Sequence, residues 1–314
     1  MTKWLKRMGI LAVLLLVVSA CSTESPGSDD GKDSSSEGES DDSVKVGLSI
    51  STLNNPFFVT LRDGAESAAE EAGYEIVVTD AQDDASSQLS DIEDLLQQNI
   101  DVLLVNPVDS EAVVTAVESA NSQDVPVITV DRSADGGEVV THIASDNVAG
   151  GEMAGEYIAE ELDESGKMVE LQGVPGASAT NERGEGFHNV VDEMDDLEVV
   201  AQQSANFNRS EGLNVMENIL QSTEEVDAVF AHNDEMALGA VEALESNGML
   251  DDVTVVGFDA TDDAVAAVEE GTMDATIAQQ PVLIGENAID AVGSVVNDES
   301  LDEFIPVELE LVTE

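Results

Sequence analysis

Two arginines stand out in a chain with almost no positive charge: ten Lys and Arg face 68 Asp and Glu. Arg132 directly follows Asp131 at the end of the apolar run VPVITVD, and Arg183 lies in a helix-length segment beyond KMVELQG. The ends of the other apolar runs carry a matching set of polar and aromatic residues. Ser51, Asn54, Asn55, Phe57 and Phe58 follow VKVGLSI, and Asn106 lies in DVLLVNP. The second half supplies Phe207, Asn233, Asp234, Asp259 and Gln279 at equivalent places. Carboxylates and amides accept hydrogen bonds, guanidinium donates as a planar fork, and phenylalanine offers an apolar face. Together they suit a ring that carries many hydroxyls above and below C–H faces, as a sugar does. Each residue also has an ordinary structural role open to it. Asp131-Arg132 reads as a surface ion pair, Asn55-Pro56 as a helix entry, and Phe57 and Phe58 as core.

Catalytic chemistry finds little support. There is no Walker-type glycine loop and no GxSxG turn. His142, His188 and His232 lie far apart along the chain, without the spacing of metal ligands, so no metal and no cofactor is expected. With 68 acids, neighbouring carboxylates arise by chance and say nothing about acid–base catalysis. The reading is of a binding protein, not an enzyme.

The elements that would position these residues alternate regularly. Short Val- and Ile-rich runs at 44–50, 74–80, 101–107 and 125–131 read as strands buried on both faces. Helical spacing of apolar residues predicts helices over 57–72, 86–98 and 110–122. The alternation restarts after HIAS (142–145), with strands at 167–173, 197–203, 227–234 and 253–259 and helices at 148–162, 179–194, 209–221 and 235–246. It closes with MDATIAQQ (273–280), a helix over 282–297 and one strand, VELELV (307–312). This is an α/β protein of two doubly wound parallel-sheet domains with a cleft between the carboxyl ends of their strands.

Residues 1–20 read as an export signal: Lys3, Lys6 and Arg7, then an apolar run, then small residues. Val18-Ser19-Ala20-Cys21 resembles a lipobox, so Cys21, the single cysteine, is expected to carry lipid after cleavage. The product would be anchored to the outer face of the cytoplasmic membrane by that lipid alone, with no disulfide. Residues 22–42 are Ser-, Gly- and acid-rich and read as a disordered acidic tether. The formal net charge is −58, and loss of the signal leaves seven basic residues against 68 acids. Such a surface repels nucleic acid. Because the acids are spread along the whole chain, they are read as adaptation to a salty medium, a halophilic source.

The segments STLNNPFFVTLRDGA (51–65), VDRSADGGEVVTHIASDNVAGGEMAGEYIA (130–159), ELQGVPGASATNERGEGF (170–187), FAHNDEMALGAVEAL (230–244), VVGFDATDD (255–263) and TIAQQP (276–281) carry a resemblance. In this order they resemble the bacterial periplasmic ribose-binding proteins, type I periplasmic binding proteins of ABC sugar importers. The resemblance implies a monomer with one domain over 43–145 and 280–307 and another over 146–279 and 308–314. Three crossings near Ser145, Gln279 and Pro306 would form a hinge. It implies D-ribose held by Ser51, Asn55, Phe57, Phe58, Asp131, Arg132, Arg183, Phe207, Asn233, Asp259 and Gln279. Delivery to an ABC permease with its ATPase subunits would follow. His232 departs from the glutamine of that family, and Asn181 from a basic residue. The same scaffold with another pentose, a hexose or a furanosyl signalling molecule is the alternative. A sugar-responsive transcription regulator shares the fold, but the export signal and the acidity oppose it.

Overall fold

Parallel strands buried on both faces need apolar side chains on both, and the chain supplies them in two separate sets. The computed structural model describes residues 43–313; the export signal, Cys21 and the acidic tether lie outside the described residues. The first set is β1 (Lys45–Ile50), β2 (Glu75–Asp80), β3 (Val102–Val105), β4 (Val127–Val130) and β5 (Thr141–Ser145). Between them run α1 (Pro56–Ala72), α2 (Ala85–Gln97) and α3 (Val114–Asn121). The second set is β6 (Gly166–Gln172), β7 (Leu197–Ser204), β8 (Ala228–Ala231), β9 (Thr254–Asp259) and β10 (Ala275–Ala278). Its helices are α4 (Asn147–Glu161), α5 (Ser178–Val191), α6 (Arg209–Ser222), α7 (Asp234–Asn247) and α8 (Asp262–Glu269). The chain ends with α9 (Pro281–Val296), β11 (Phe304–Val307) and β12 (Glu310–Thr313).

The strands form two six-stranded sheets, ordered β11-β5-β4-β3-β1-β2 and β12-β10-β9-β8-β6-β7. Within each strand, alternate side chains enter opposite helix layers. Val102 and Leu104 join the cluster under α1 and α9, whereas Leu103 and Val105 join the one under α2 and α3. In the second sheet Val169 and Leu171 face α6 and α7, and Met168 faces α4 and α5. Each sheet is therefore a sandwich of two apolar layers, and the two lobes have separate cores.

The chain passes between the sheets after β5, after β10, and between β11 and β12. The last passage differs from the single strand read over 307–312. VELELV contains the end of one strand and the start of another, separated by Glu308 and Leu309. Leu309 packs on the core beneath α4, and the main-chain carbonyl of Glu308 accepts a bond from Gln280 Nε2 at 3.1 Å. That bond ties two of the crossings together. β12 also runs antiparallel to β10, so the second sheet is parallel except at this edge. α8, a short acid-rich helix, is a further element that the periodicity did not suggest.

Helices α4 and α5 lie close together, and the site depends on it. A Cβ on Gly151 would sit 2.2 Å from the Arg183 carbonyl oxygen, and one on Gly186 would sit 1.9 Å from that of Val148. Only glycine permits that approach, which fixes where the middle of α5, and with it Arg183, stands.

Candidate functional site

The carboxyl ends of the two sheets face each other across a narrow cleft. Its walls are Asn55, Phe57, Phe58, Asp131 and Arg132 from the first lobe, Ala179, Arg183, Phe207, Asn233 and Asp259 from the second, and Gln279 from a crossing segment.

Local structure explains how each side chain comes to point inward. Asn55 and Asn233 are the N-caps of α1 and α7; their Oδ1 atoms accept from Phe57 N at 2.9 Å and Met236 N at 3.0 Å. Capping uses the amide oxygens and turns both NH₂ groups outward, that of Asn233 reaching the Phe207 carbonyl at 3.3 Å. Three wall residues have left-handed backbone: Asp131 at φ 63°, Phe207 at 56° and Asp259 at 119°. Non-glycine residues there cost about 1–3 kcal/mol each, and such strain concentrates where side-chain direction matters for function. The Phe207 ring lies on Gly173, where a Cβ would come within 2.0 Å of it.

The cavity is charged yet balanced. Arg132 and Arg183 are 2 % and 3 % exposed, Asp131 and Asp259 3 % and 5 %. Arg183 Nη1 lies 3.8 Å from Asp259 Oδ1 and donates to the main-chain carbonyl of His232; its Nε donates to Asn147 Oδ1 at 2.9 Å. Its guanidinium also sits 3.7 Å from the centroid of the Phe258 ring. Arg132 Nη1 donates to the Pro107 carbonyl at 3.2 Å, and its guanidinium centres 5.0 Å from the Phe58 ring and 5.1 Å from Phe207. Burial pushes Asp131 upward, an effect opposed by Arg132 and Arg183. Burial also drives Asp259 well above the usual carboxylate range, with Arg183 opposing and Asp234 adding to the rise. Asp234 itself is pushed up to about 7 by burial, although Thr276 and Thr261 donate to it. Among the described residues, Arg132 Nε and Gln279 Oε1 are buried without hydrogen-bond partners. One is a donor and the other an acceptor, so a hydroxyl-bearing occupant would satisfy both.

The two lobes also touch away from this cavity. Ser110 N donates to the Gly176 carbonyl at 3.0 Å, and Ser133 N to Ser178 Oγ at 2.9 Å. These bonds join the first lobe directly to the β6–α5 loop and to the first residue of α5. Ser178→Ala is expected to weaken every ligand alike, by roughly threefold to tenfold for one hydrogen bond. Titrating several ligands into the variant checks this: their affinity ranking should stay unchanged.

Of the eleven residues expected from sequence, ten line the cavity and Ser51 stands behind it. Ser51 Oγ donates to Asn106 Oδ1 at 2.6 Å, and Asn106 Nδ2 reaches Asp131 Oδ2 at 3.3 Å. Ser51 and Asn106 thus orient Asp131 from the rear. Sequence reasoning missed Ala179, whose small side chain carries no chemical signal, and Asn147, which holds Arg183. A larger hollow lies at the opposite, amino ends of the second sheet's strands. It is open and lined by Glu161, Asp196, Glu198, Glu225, Asp227, Asp251, Asp252 and Asp274 around Lys167, without the aromatic faces of the cleft. His188 and His232, distant in sequence, meet on one carboxylate, Glu170.

The sequence and fold have clear relatives. A model of the periplasmic binding protein domain matches residues 46–300. The ribose import binding protein RbsB of Bacillus subtilis (strain 168) is 50 % identical over 305 residues, covering 97 % of each chain. The protein of the same name from Escherichia coli (strain K12) is 50 % identical over 267 residues, 85 % of this chain and 90 % of that one. Among solved structures, an ABC transporter solute binding protein from Bacillus halodurans C-125, with bound myo-inositol, superposes with a TM-score of 0.81 at 38 % identity. That match covers 86 % of this chain and 94 % of the other. With two α/β lobes facing each other across a polar cleft, the chain belongs to the periplasmic binding protein family.

Proposed function

We propose that this protein is the exported substrate-binding component of an ABC sugar importer and that D-ribose is its ligand. The observation that carries this reading is the cleft itself: Phe57, Phe58 and Phe207 around two carboxylates, two guanidiniums and three amides, the apolar faces and hydrogen-bonding groups that a sugar ring calls for. The name shared by the Bacillus subtilis and Escherichia coli relatives supports ribose. The phenylalanines lie against the C–H faces of the ring, Asp131, Asp259 and Gln279 accept from its hydroxyls, and Arg132, Arg183 and the two asparagines donate.

The lobes act as two domains, 43–145 with 280–307 and 146–279 with 308–314, that open about the three crossings. Sugar favours the closed form because only there do both walls touch it. The closed, loaded protein, a monomer held to the membrane by lipid on Cys21, is what the permease and its ATPase subunits receive. The sugar is passed on unchanged, since nothing in the cleft pairs a nucleophile with a base.

Calorimetric titration tests the reading. The chain from residue 21, carrying Cys21→Ser so that no lipid is needed, is titrated in high salt with D-ribose, other pentoses, hexoses and myo-inositol. One-to-one binding with ribose strongest is the expected result. Tighter binding of another sugar would keep the scaffold and replace the ligand, and silence across the panel would end the proposal.

A further inference from the structure

Glu170 is a wholly buried carboxylate in the middle of β6, at a position where strand alternation calls for an apolar side chain facing α5. It is fully engaged. Oε1 receives His232 Nε2 at 2.8 Å and Gln172 Nε2 at 3.3 Å; Oε2 receives Gln202 Nε2 at 2.6 Å and His188 Nε2 at 3.1 Å. None of these groups touches the cavity. Their link to it is the chain at His232: its ring is held by Glu170, and its main-chain carbonyl accepts from Arg183 Nη1. The next residue, Asn233, is a cavity wall.

The bond to Glu170 requires the proton on Nε2 of His232, which leaves Nδ1 as a bare lone pair. Nδ1 is buried and has no hydrogen-bond partner among the described residues. A second proton there would be an N–H without an acceptor, in a ring that already faces a cation. The charged groups around the ring are Glu170 from β6, Arg183 and His188 from α5, with Asp192 behind His188. Asp234 from α7 and Asp259 from β9 act on Arg183, the cation that the ring faces.

We propose that Glu170 and His232 are positioning residues for the cleft: they hold the carbonyl that anchors Arg183, and they make ligand affinity fall as the medium turns acid. This rests on the reading of the cleft as a sugar site. Burial lowers the His232 ring below the ordinary histidine range, and Arg183 and His188 lower it further, while Glu170 opposes them. His188 is raised despite burial, because Asp192 and Glu170 both face it. At neutral pH the arrangement is therefore a carboxylate between a neutral ring and one that readily takes a proton. Protonating His232 sets its ring against Arg183, the group the ligand needs in place. By linkage, ligand must in turn oppose that protonation.

The test compares Kd for D-ribose, or for whichever panel sugar binds best, from pH 7.5 down to 4, a window that reaches below the ordinary histidine range, in three forms of the protein. Asp131 and Asp259 titrate too, so the wild-type slope alone decides nothing; the difference between forms does. His232→Gln keeps an N–H donor for Glu170 but cannot titrate. It should bind within about twofold of wild type at pH 7.5 and lose affinity at least threefold less over the acid range. His232→Ala, which leaves Glu170 without that donor, should bind at least tenfold more weakly at every pH. Should the alanine variant fail to fold, the glutamine comparison stands alone. The proposal is overturned if His232→Gln shows the wild-type acid slope, or if folded His232→Ala binds as wild type does. Absence of any binding by wild type would instead fault the sugar reading itself.

Discussion

Arg183→Ala is expected to raise the Kd for sugar roughly a thousandfold, more than any other single change in the cleft. The guanidinium is buried, and its remaining donors face the cavity between Asp259, the His232 carbonyl and Asn147. Bonds to a charged group are worth about 1.5–3 kcal/mol each, so losing two corresponds to roughly a thousandfold. Lysine should not rescue binding, because a point charge cannot reproduce the planar fork or its contact with Phe258. The stability of the variant should also acquire a new pH dependence. Asp259 is already held above its ordinary range by burial, and Arg183 is the main group opposing that rise. A carboxylate raised in the folded state stabilises the fold while protonated, and that contribution is lost as pH climbs from its unfolded value toward its folded one. Without Arg183 the folded value rises further. Arg183→Ala should therefore melt closest to wild type in acid, where Asp259 is protonated in both proteins, and fall further behind as pH climbs past the raised folded-state value that Asp259 has in the wild type. Thermal melts at several pH values check this; parallel curves for the two proteins would refute the assignment of Arg183 as the partner of Asp259.

The second large effect concerns salt. A net charge of −58 means that self-repulsion is a principal term opposing the folded state. The few cations cannot offset it. Among the described residues Lys45, Arg62, Lys167 and Arg209 are tied up in ion pairs at the surface, and Arg132 and Arg183 are committed to the cleft. Surface pairs of this kind contribute about 0–1 kcal/mol each. Screening works differently, shortening the reach of every carboxylate from about 10 Å at 0.1 M to 3 Å at 1 M. The melting temperature is expected to rise by at least about 10 °C between 0.1 and 2 M NaCl, on the order of 3 kcal/mol for a chain of this size. Sodium sulfate strengthens burial of any protein, so the comparison uses NaCl at constant pH, followed by calorimetry. A flat response would mean that the acids are spaced widely enough to ignore one another, and would remove the case for a saline habitat.

The cleft was legible because its residues sit where backbone rules put them. Asn55 before Pro56 and Asn233 before Asp234 are helix starts, and Asp131 and Asp259 are the residues at which apolar strands stop; in an α/β sheet those places face the ligand. What sequence could not convey is which of these groups would be strained. The left-handed backbone of Phe207 and Asp259 has no signature in residue type. The closing strands were misread for a related reason. Val307-Glu308-Leu309-Glu310 continues an uninterrupted alternation through a passage from one sheet to the other, and period alone does not say which sheet a residue joins. The partnership of Glu170, His188 and His232 was hidden by abundance, since one more acid among 68 attracts no notice. A usable signal existed nonetheless: Glu170 interrupts KMVELQG, a strand that must be buried on both faces, and a carboxylate there needs donors from somewhere.

The order in which the strands are threaded governs what a chain can do while it is still being exported. The first sheet has β11 at one edge, and α1 packs against α9, yet both elements arrive after every element of the second lobe except β12. Crossing the membrane from its amino end, the first lobe remains an unfinished sheet with the apolar face of α1 uncovered until residues 281–307 emerge. The second lobe lacks only an edge strand by residue 280 and can fold ahead of it. A chain truncated after Gln280 should accordingly show a protease-resistant fragment from the second lobe and none from the first. Late completion keeps the leading half unfolded and threadable, and it delays formation of the ligand site until almost the whole protein is outside the cell.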